Sequence, residues 1–240
     1  MPSDLLVAAS AVAAGGIAAM SGFGIGSFLT PVFSPAVGTK LAVAVVAIPH
    51  FIGTVLRLWI LRRHVDRRVL LGFGITSALG GLAGALLHAW TSSRALTLVF
   101  GALLVLAGVS QWSGWMARVR WGRRAAWVAG AVSGLLGGLV GNQGGIRSAS
   151  MLGFEVPKES FVATATAVAL FVDLARLPVY LATQGEEIAD AWRLILVASI
   201  GVVLGTTLGV RFLRYLPEIA FRRFIAAVLA LLGLSMLLGG

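Results

Sequence analysis

Ser21-Gly22-Phe23-Gly24-Ile25-Gly26 interrupts an apolar run spanning residues 5 to 33, and Gly141-Asn142-Gln143-Gly144-Gly145 interrupts another spanning residues 125 to 151. Glycine at this density lowers helix stability and admits backbone shapes that other residues resist, so the spacing predicts a helix break at each place. In a bilayer, a break is tolerated only where protein or a water-filled cavity shields the freed N–H and C=O groups. Each stretch therefore points to a protected site inside a membrane protein, provided the rest of the chain is a membrane protein.

The composition says that it is. Hydrophobic residues make up 58% of the 240 residues and charged residues only 12%, with a mean hydropathy of +0.95. A soluble domain has no way to bury that much apolar surface. Apolar segments bounded by charge fall near 5 to 33, 41 to 61, 69 to 90, 95 to 115, 125 to 151, 160 to 182, 193 to 213 and 220 to 238. A crossing helix needs roughly 20 apolar residues, so little chain is left for a water-soluble domain. The start, Met1-Pro2-Ser3-Asp4, lacks the basic region of a cleavable signal peptide, and the first segment is expected to stay in the mature protein. The net charge of +10 comes from basic residues in short loops between apolar runs, a pattern that fits membrane lipid as partner and not nucleic acid. Trp59, Trp90, Trp112, Trp115, Trp121, Trp127 and Trp192 lie toward segment ends and read as interfacial anchors.

The residues downstream of the two breaks also correspond. Gly22 and Gly141 lie 119 residues apart, as do Arg57 and Arg176. Lys40 falls near the position equivalent to Lys158, and Gly80-x3-Gly84 has a counterpart in Gly201-x3-Gly205-x3-Gly209. The simplest account is a duplicated unit, residues 1 to 118 and 119 to 240, forming one integral membrane domain. Charge decides the topology. If every segment crosses, the loop Lys/Arg divide nearly evenly between the two sides. If the two interrupted segments are re-entrant, thirteen fall on one side (Arg62, Arg63, Arg67, Arg68, Arg118, Arg120, Arg123, Arg124, Lys158, Arg211, Arg214, Arg222 and Arg223) and only Lys40, Arg94 and Arg193 on the other. The positive-inside rule favours the second arrangement. The expected fold is an all-α polytopic membrane protein of two inverted repeats, each with a glycine-broken first segment and three transmembrane helices. Both termini then lie outside a cell inner (plasma) membrane. A kinked, tilted full crossing by residues 5 to 33 remains the alternative.

Three arginines, Arg57, Arg147 and Arg176, lie within or beside apolar segments, where a charge is costly and marks function by default. Arg57 stands close enough to Arg62-Arg63 for its side chain to snorkel to the interface instead. Arg176 has Asp173 three residues earlier on the same helical face, so a structural ion pair competes with a substrate contact. Arg147 comes just after Gly144-Gly145, where orphan N–H groups and a guanidinium together suit an oxyanion. Helix N-termini after Gly26 and Gly145 add donors, with the side chains of Ser21, Ser27, Asn142 and Gln143. The expected substrate-binding set is Ser21, Gly22, Gly24, Gly26, Arg57, Asn142, Gln143, Gly144, Gly145, Arg147 and Arg176, against a reading in which the glycines only pack helices. His50 and Asp173 are candidates for proton coupling, His50 also fitting a packing role. His64 and His88 sit near segment ends and are expected to face water.

The pattern excludes several classes. There is no cysteine, no H-E-x-x-H and no G-x-x-x-x-G-K-[ST], which argues against thiol chemistry, a metal site and ATP-driven transport. Ser21 and His50 are the one pair worth weighing for an intramembrane protease, and neither has an evident third partner. No enzyme activity and no cofactor are expected.

Gly22-Phe23-Gly24-Ile25-Gly26 with Pro31, then Lys40, Arg57 and Arg62-Arg63-His64-Val65-Asp66, repeated through Gly141 to Gly145, Pro157-Lys158 and Arg176, resembles the sulfite exporter TauE/SafE family of membrane permeases. The likeness extends over nearly the whole chain. It departs at Ile25 and Asn142-Gln143, where more glycines are usual, and at Arg147, where an apolar residue is usual. The resemblance implies export of sulfite or a small organosulfonate by secondary transport. A site made of donors agrees in sign. The alternative from another class is a non-transporting membrane scaffold or assembly factor; the sequence leaves homo-oligomerisation open.

Overall fold

The computed structural model describes the backbone of residues 3–21, 24–114, 123–141, 144, 147, 151, 157–212 and 218–239, and, within these, the side chains apart from those of 20, 21, 123, 124, 158, 159, 210–212 and 218–222. The described residues are helical, with no strand among them. The helices are α1 Asp4–Ser21, α2 Ile25–Leu61, α3 Arg67–Trp90, α4 Ser93–Ser113, α5 Arg123–Val140, α6 Lys158–Asp190, α7 Trp192–Phe212 and α8 Glu218–Gly239. Five of the segments, Ile25–His64, Arg67–Trp90, Ser93–Ser113, Ser160–Asp190 and Trp192–Gly209, are long and apolar enough to cross a membrane.

The surface is inverted relative to a soluble protein. On α7, Leu196, Ile200, Leu204 and Leu208 form an exposed stripe at four-residue spacing, and Leu79, Leu82 and Leu86 form one on α3 at spacings of three and four, while Arg57, Arg147, Asp173 and Arg176 are buried. Apolar residues outside and charges inside fit a hydrocarbon solvent. Trp59, Trp90, Trp112, Trp127 and Trp192 are all exposed, and the Arg62 guanidinium stacks 3.7 Å over the Trp59 ring. Trp115 and Trp121 lie outside the described residues.

Glycines and caps set the local structure. α1 ends at Ser21, Gly24 takes φ 133° and α2 begins at Ile25. The expected boundary between residues 33 and 41 is no gap: helix continues to Gly38, which turns the chain with φ 76° and ψ 153°. α5 ends at Val140, where Gly141 takes φ 74°. Asp66 caps α3 by accepting from the N–H groups of Arg68 and Val69, and Gly114 closes α4 in the left-handed conformation.

Packing recurs at a constant offset. α1 and α5 begin and end 119 residues apart, at Asp4 and Arg123 and at Ser21 and Val140. The turn at Gly38 is matched by Pro157, the N-cap of α6, again 119 residues on. α1 lies along α7, and α5 lies along α3. In each pair the backbones approach so closely that a Cβ has no room. Added to Gly15, it would stand 2.5 Å from the Val202 carbonyl oxygen, and at Gly134 it would strike the Ser77 carbonyl. Gly205 faces the Val12 carbonyl as Gly80 faces that of Ala131, and Gly209 faces Gly16 as Gly84 faces Leu135. α4 and α8 pack on each other, and α2 and α6 cross at the centre of the bundle.

Contacts at the helix ends fix which termini lie together. At one end, Arg193 donates to Asp4 at 2.5 Å and Lys40 Nζ donates to the Ala89 carbonyl at 2.6 Å, near the C-terminus of α3. At the other, the Asp66 amide donates to Thr164 Oγ1 at 2.9 Å, and Gly72 lies beside the Trp127 ring. The start of α5 and the start of α6 are therefore both at the N-terminal end of α3.

Candidate functional site: buried arginines at the crossing of α2 and α6

α2 and α6 bring their polar residues to the crossing. Arg57, Arg147 and Arg176 are each 2% exposed, Asp173 is fully buried and His50 is nearly so. Taking a guanidinium out of water is costly without partners, and the partners of Arg57 and Arg176 differ sharply.

Arg176 is held by a carboxylate. Its Nε donates to Asp173 Oδ1 at 3.0 Å, with Nη2 2.8 Å from the same oxygen, and Nη1 donates to the Gly137 carbonyl at 2.9 Å. The second Asp173 oxygen, Oδ2, is 2.7 Å from His50 Nδ1. One carboxylate thus links α6 to α2 and both its oxygens are engaged. Tyr180, one turn beyond Arg176, lies 5.9 Å from its guanidinium and donates to the Gly138 carbonyl. His88, with its ring 4.8 Å from that of Tyr180 and its Nδ1 2.7 Å from the Leu139 carbonyl, is fully buried. That corrects the expectation that His88 faces water: the close packing of α3 on α5 carries it inside. His64 is exposed as expected.

Arg57 is buried by a different set. Its Nε donates to Thr166 Oγ1 at 3.1 Å and its Nη1 to the Ala18 carbonyl at 2.6 Å. Thr166 in turn donates to the Val162 carbonyl at 2.8 Å, so its hydroxyl is committed to orienting Arg57. No described carboxylate lies within ion-pair distance of Arg57. The snorkelling alternative is overturned, because α1 and α6 close over the side chain before it reaches the interface. Arg147 lies within electrostatic reach of Arg57, Asp173 and Arg176.

Gly26 and Gly141, one from each glycine stretch, meet at this crossing. Gly26 is buried, and a Cβ added there would stand 2.6 Å from the Gly141 carbonyl oxygen; one added to Gly141 would stand 3.3 Å from Arg176 Nη1. Gly24, beside Ile17 and Phe28, is buried, as is Gly144. Gly22, Asn142, Gln143 and Gly145 fall outside the described residues, as does the Ser21 side chain. A groove of about 550 Å³ lined by Ile52, Leu181, Trp192 and Leu196 opens on the apolar surface and includes none of the candidate residues.

Among the described residues, the structure brings Arg57, Arg176, His50, Asp173 and Gly26 into one interior. It adds Thr54, Thr166, Tyr180 and His88, which the sequence alone did not single out as site residues. Tyr180 had a signal, its i,i+4 spacing from Arg176; Thr166 had none. Leaving Arg147 aside, two buried guanidinium groups, those of Arg57 and Arg176, face one buried carboxylate among the described residues. That surplus of positive charge in a low-dielectric interior suits an anion. No group of three or more His, Asp or Glu that could hold a metal ion occurs among the described residues.

Residues 7–236 match the sequence model of the family described as Sulfite exporter TauE/SafE. No curated protein and no solved structure matches the chain.

Proposed function

We propose, from the premise that this chain belongs to the sulfite exporter TauE/SafE family of membrane permeases, that it exports sulfite or a small organosulfonate through an interior site at the two glycine stretches. The surplus of buried positive charge is the observation that carries this reading. A tetrahedral or pyramidal oxyanion of small size supplies the counter-charge that this surplus calls for, and charge-assisted hydrogen bonds from guanidinium groups are the strong kind. Backbone N–H groups of the first turn of α2, which starts at Ile25 with no side-chain cap, add donors without adding charge.

The inverted topology belongs to the same reading. The common end of α3 shared by Trp127 and Thr164 supports a second interrupted segment that enters and leaves on one side, and the recurrent 119-residue offset supports the same for the first. With the basic loops inside a bacterial-type inner membrane, both termini are outside. His50 and Asp173 form the coupling pair: a proton on or off this dyad changes the charge opposite Arg176 and with it the interior's hold on an anion.

Flux into and out of proteoliposomes, measured with sulfite, small sulfonates, sulfate, acetate and chloride, tests class and substrate together. Sulfite or sulfonate flux above protein-free vesicles, accelerated by an imposed proton gradient, is the expected result. Flux of none of these anions would favour the scaffold reading and defeat this one.

A further inference from the structure

The two halves use the same arginine twice. Arg57 and Arg176 are 119 residues apart, and each donates through Nη1 to a carbonyl of its own half's first helix, Ala18 and Gly137, themselves 119 residues apart. The rest of the frame does not repeat. Where Asp173 precedes Arg176 by three residues, the equivalent position before Arg57 is Thr54, fully buried and 3.5 Å from His50 Nδ1. The position equivalent to His50 is Ala169, also buried. Arg176 engages three of its nitrogens with acceptors, among them a carboxylate that also accepts from His50 when His50 Nδ1 carries a proton. Arg57 makes two hydrogen bonds within the described residues, both to neutral oxygens, out of the five N–H groups a guanidinium offers.

We propose that Asp173 occupies, at Arg176, the place that the substrate oxyanion takes at Arg57. The inference rests on the anion-permease reading and deepens it, because it assigns the substrate to one side of a near-symmetric site. Asp173 is a tethered oxyanion, held by the sequence in the seat of its half. In the other half the seat is left to a diffusible oxyanion, with a neutral Thr54 hydroxyl in place of the tethered carboxylate to donate or accept. In the proposed orientation Arg57, four residues before Leu61 at the end of α2, lies toward the basic loops, the side from which an exporter loads.

The test measures sulfite binding to the purified full chain in detergent by calorimetry, with wild type beside Thr54→Asp, Thr54→Asn and Asp173→Thr. Thr54→Asp installs the tethered carboxylate at Arg57 and is expected to weaken sulfite binding by at least about 30-fold, while the neutral near-isostere Thr54→Asn stays within about tenfold of wild type. Asp173→Thr vacates the second seat, so its melting temperature should rise with sulfite concentration more steeply than that of wild type. This variant keeps the test decisive if Thr54→Asp fails to fold. Wild-type affinity in Thr54→Asp, or an Asp173→Thr protein that sulfite stabilises no more than wild type, overturns the proposal. Absence of sulfite binding to wild type would defeat the sulfite reading itself, and the assignment with it.

Discussion

Arg57 and Arg176 occupy corresponding places in the two halves of this chain, yet among the described residues one is neutralised by a carboxylate and the other is not. Arg176 is an element of architecture: Asp173 and His50 tie it to α2, and Tyr180 packs beside it. Arg57 is oriented by neutral oxygens alone among the described residues. At equivalent 119-residue spacing the two arginines have different surroundings, Thr54 standing where Asp173 does and His50 where Ala169 does. A symmetric pair of neutralised arginines would have been a structural clamp. A symmetric pair of bare ones would have carried a desolvation cost on both sides with nothing to offset it.

The comparison breaks outright if the halves are not oppositely oriented, and this is an all-or-none test. Single cysteines at positions 65 and 187, introduced into a cysteine-free chain, are expected to be labelled from opposite faces of right-side-out vesicles. Labelling of both from the same face would end the inverted account.

Next in size is the clamp. Arg176→Ala and Asp173→Ala each strand a buried charge, and each is expected to lower stability by about 3–5 kcal/mol. The double variant should recover part of that loss, a coupling read as a non-additive melting temperature. Simple additivity would show that the 2.8 Å pair contributes little.

The glycine seams sharpen the comparison at the level of packing. Gly80 and Gly205 meet a carbonyl of the neighbouring helix in the same way, so Gly→Ala at either should destabilise by a similar amount, roughly 1–3 kcal/mol from overpacking. At Gly24 and Gly141, where φ is 133° and 74°, Gly→Leu should abolish flux while the protein remains folded. Lost expression with residual active protein would instead assign these glycines to packing. The smallest effect is at the periphery. Arg193 and Asp4 are 70% and 49% exposed, and Asp4→Asn should change stability by no more than about 1 kcal/mol.

How much of the molecule is legible in its sequence depends on range. The long apolar segments are local features, and five of them appear as helices long and apolar enough to cross a membrane, while the expected boundary between residues 33 and 41 does not. The Arg176–Asp173 pair is legible too, since i,i+3 spacing places both on one helix face. The His50–Asp173 contact is not, because it spans 123 residues and exists only through the crossing of α2 and α6. Whether Arg57 snorkels or stays inside turns on α1 and α6 closing over it, and His88 goes inside because α3 packs along α5. Neither packing is written in any one segment. The Thr54/Asp173 difference is visible in sequence only after Arg57 and Arg176 have been placed in equivalent frames.

The claim that matters most is that the buried arginines hold the anion. Sulfite affinity of Arg57→Ala and Arg147→Ala, measured against wild type, addresses it directly. Each variant removes up to two charge-assisted hydrogen bonds, on the order of 2–4 kcal/mol, and is expected to bind roughly 30-fold to 1,000-fold more weakly. Lysine at either position should restore only part of the affinity, keeping the charge without the planar fork. Wild-type sulfite affinity in both alanine variants would contradict the account.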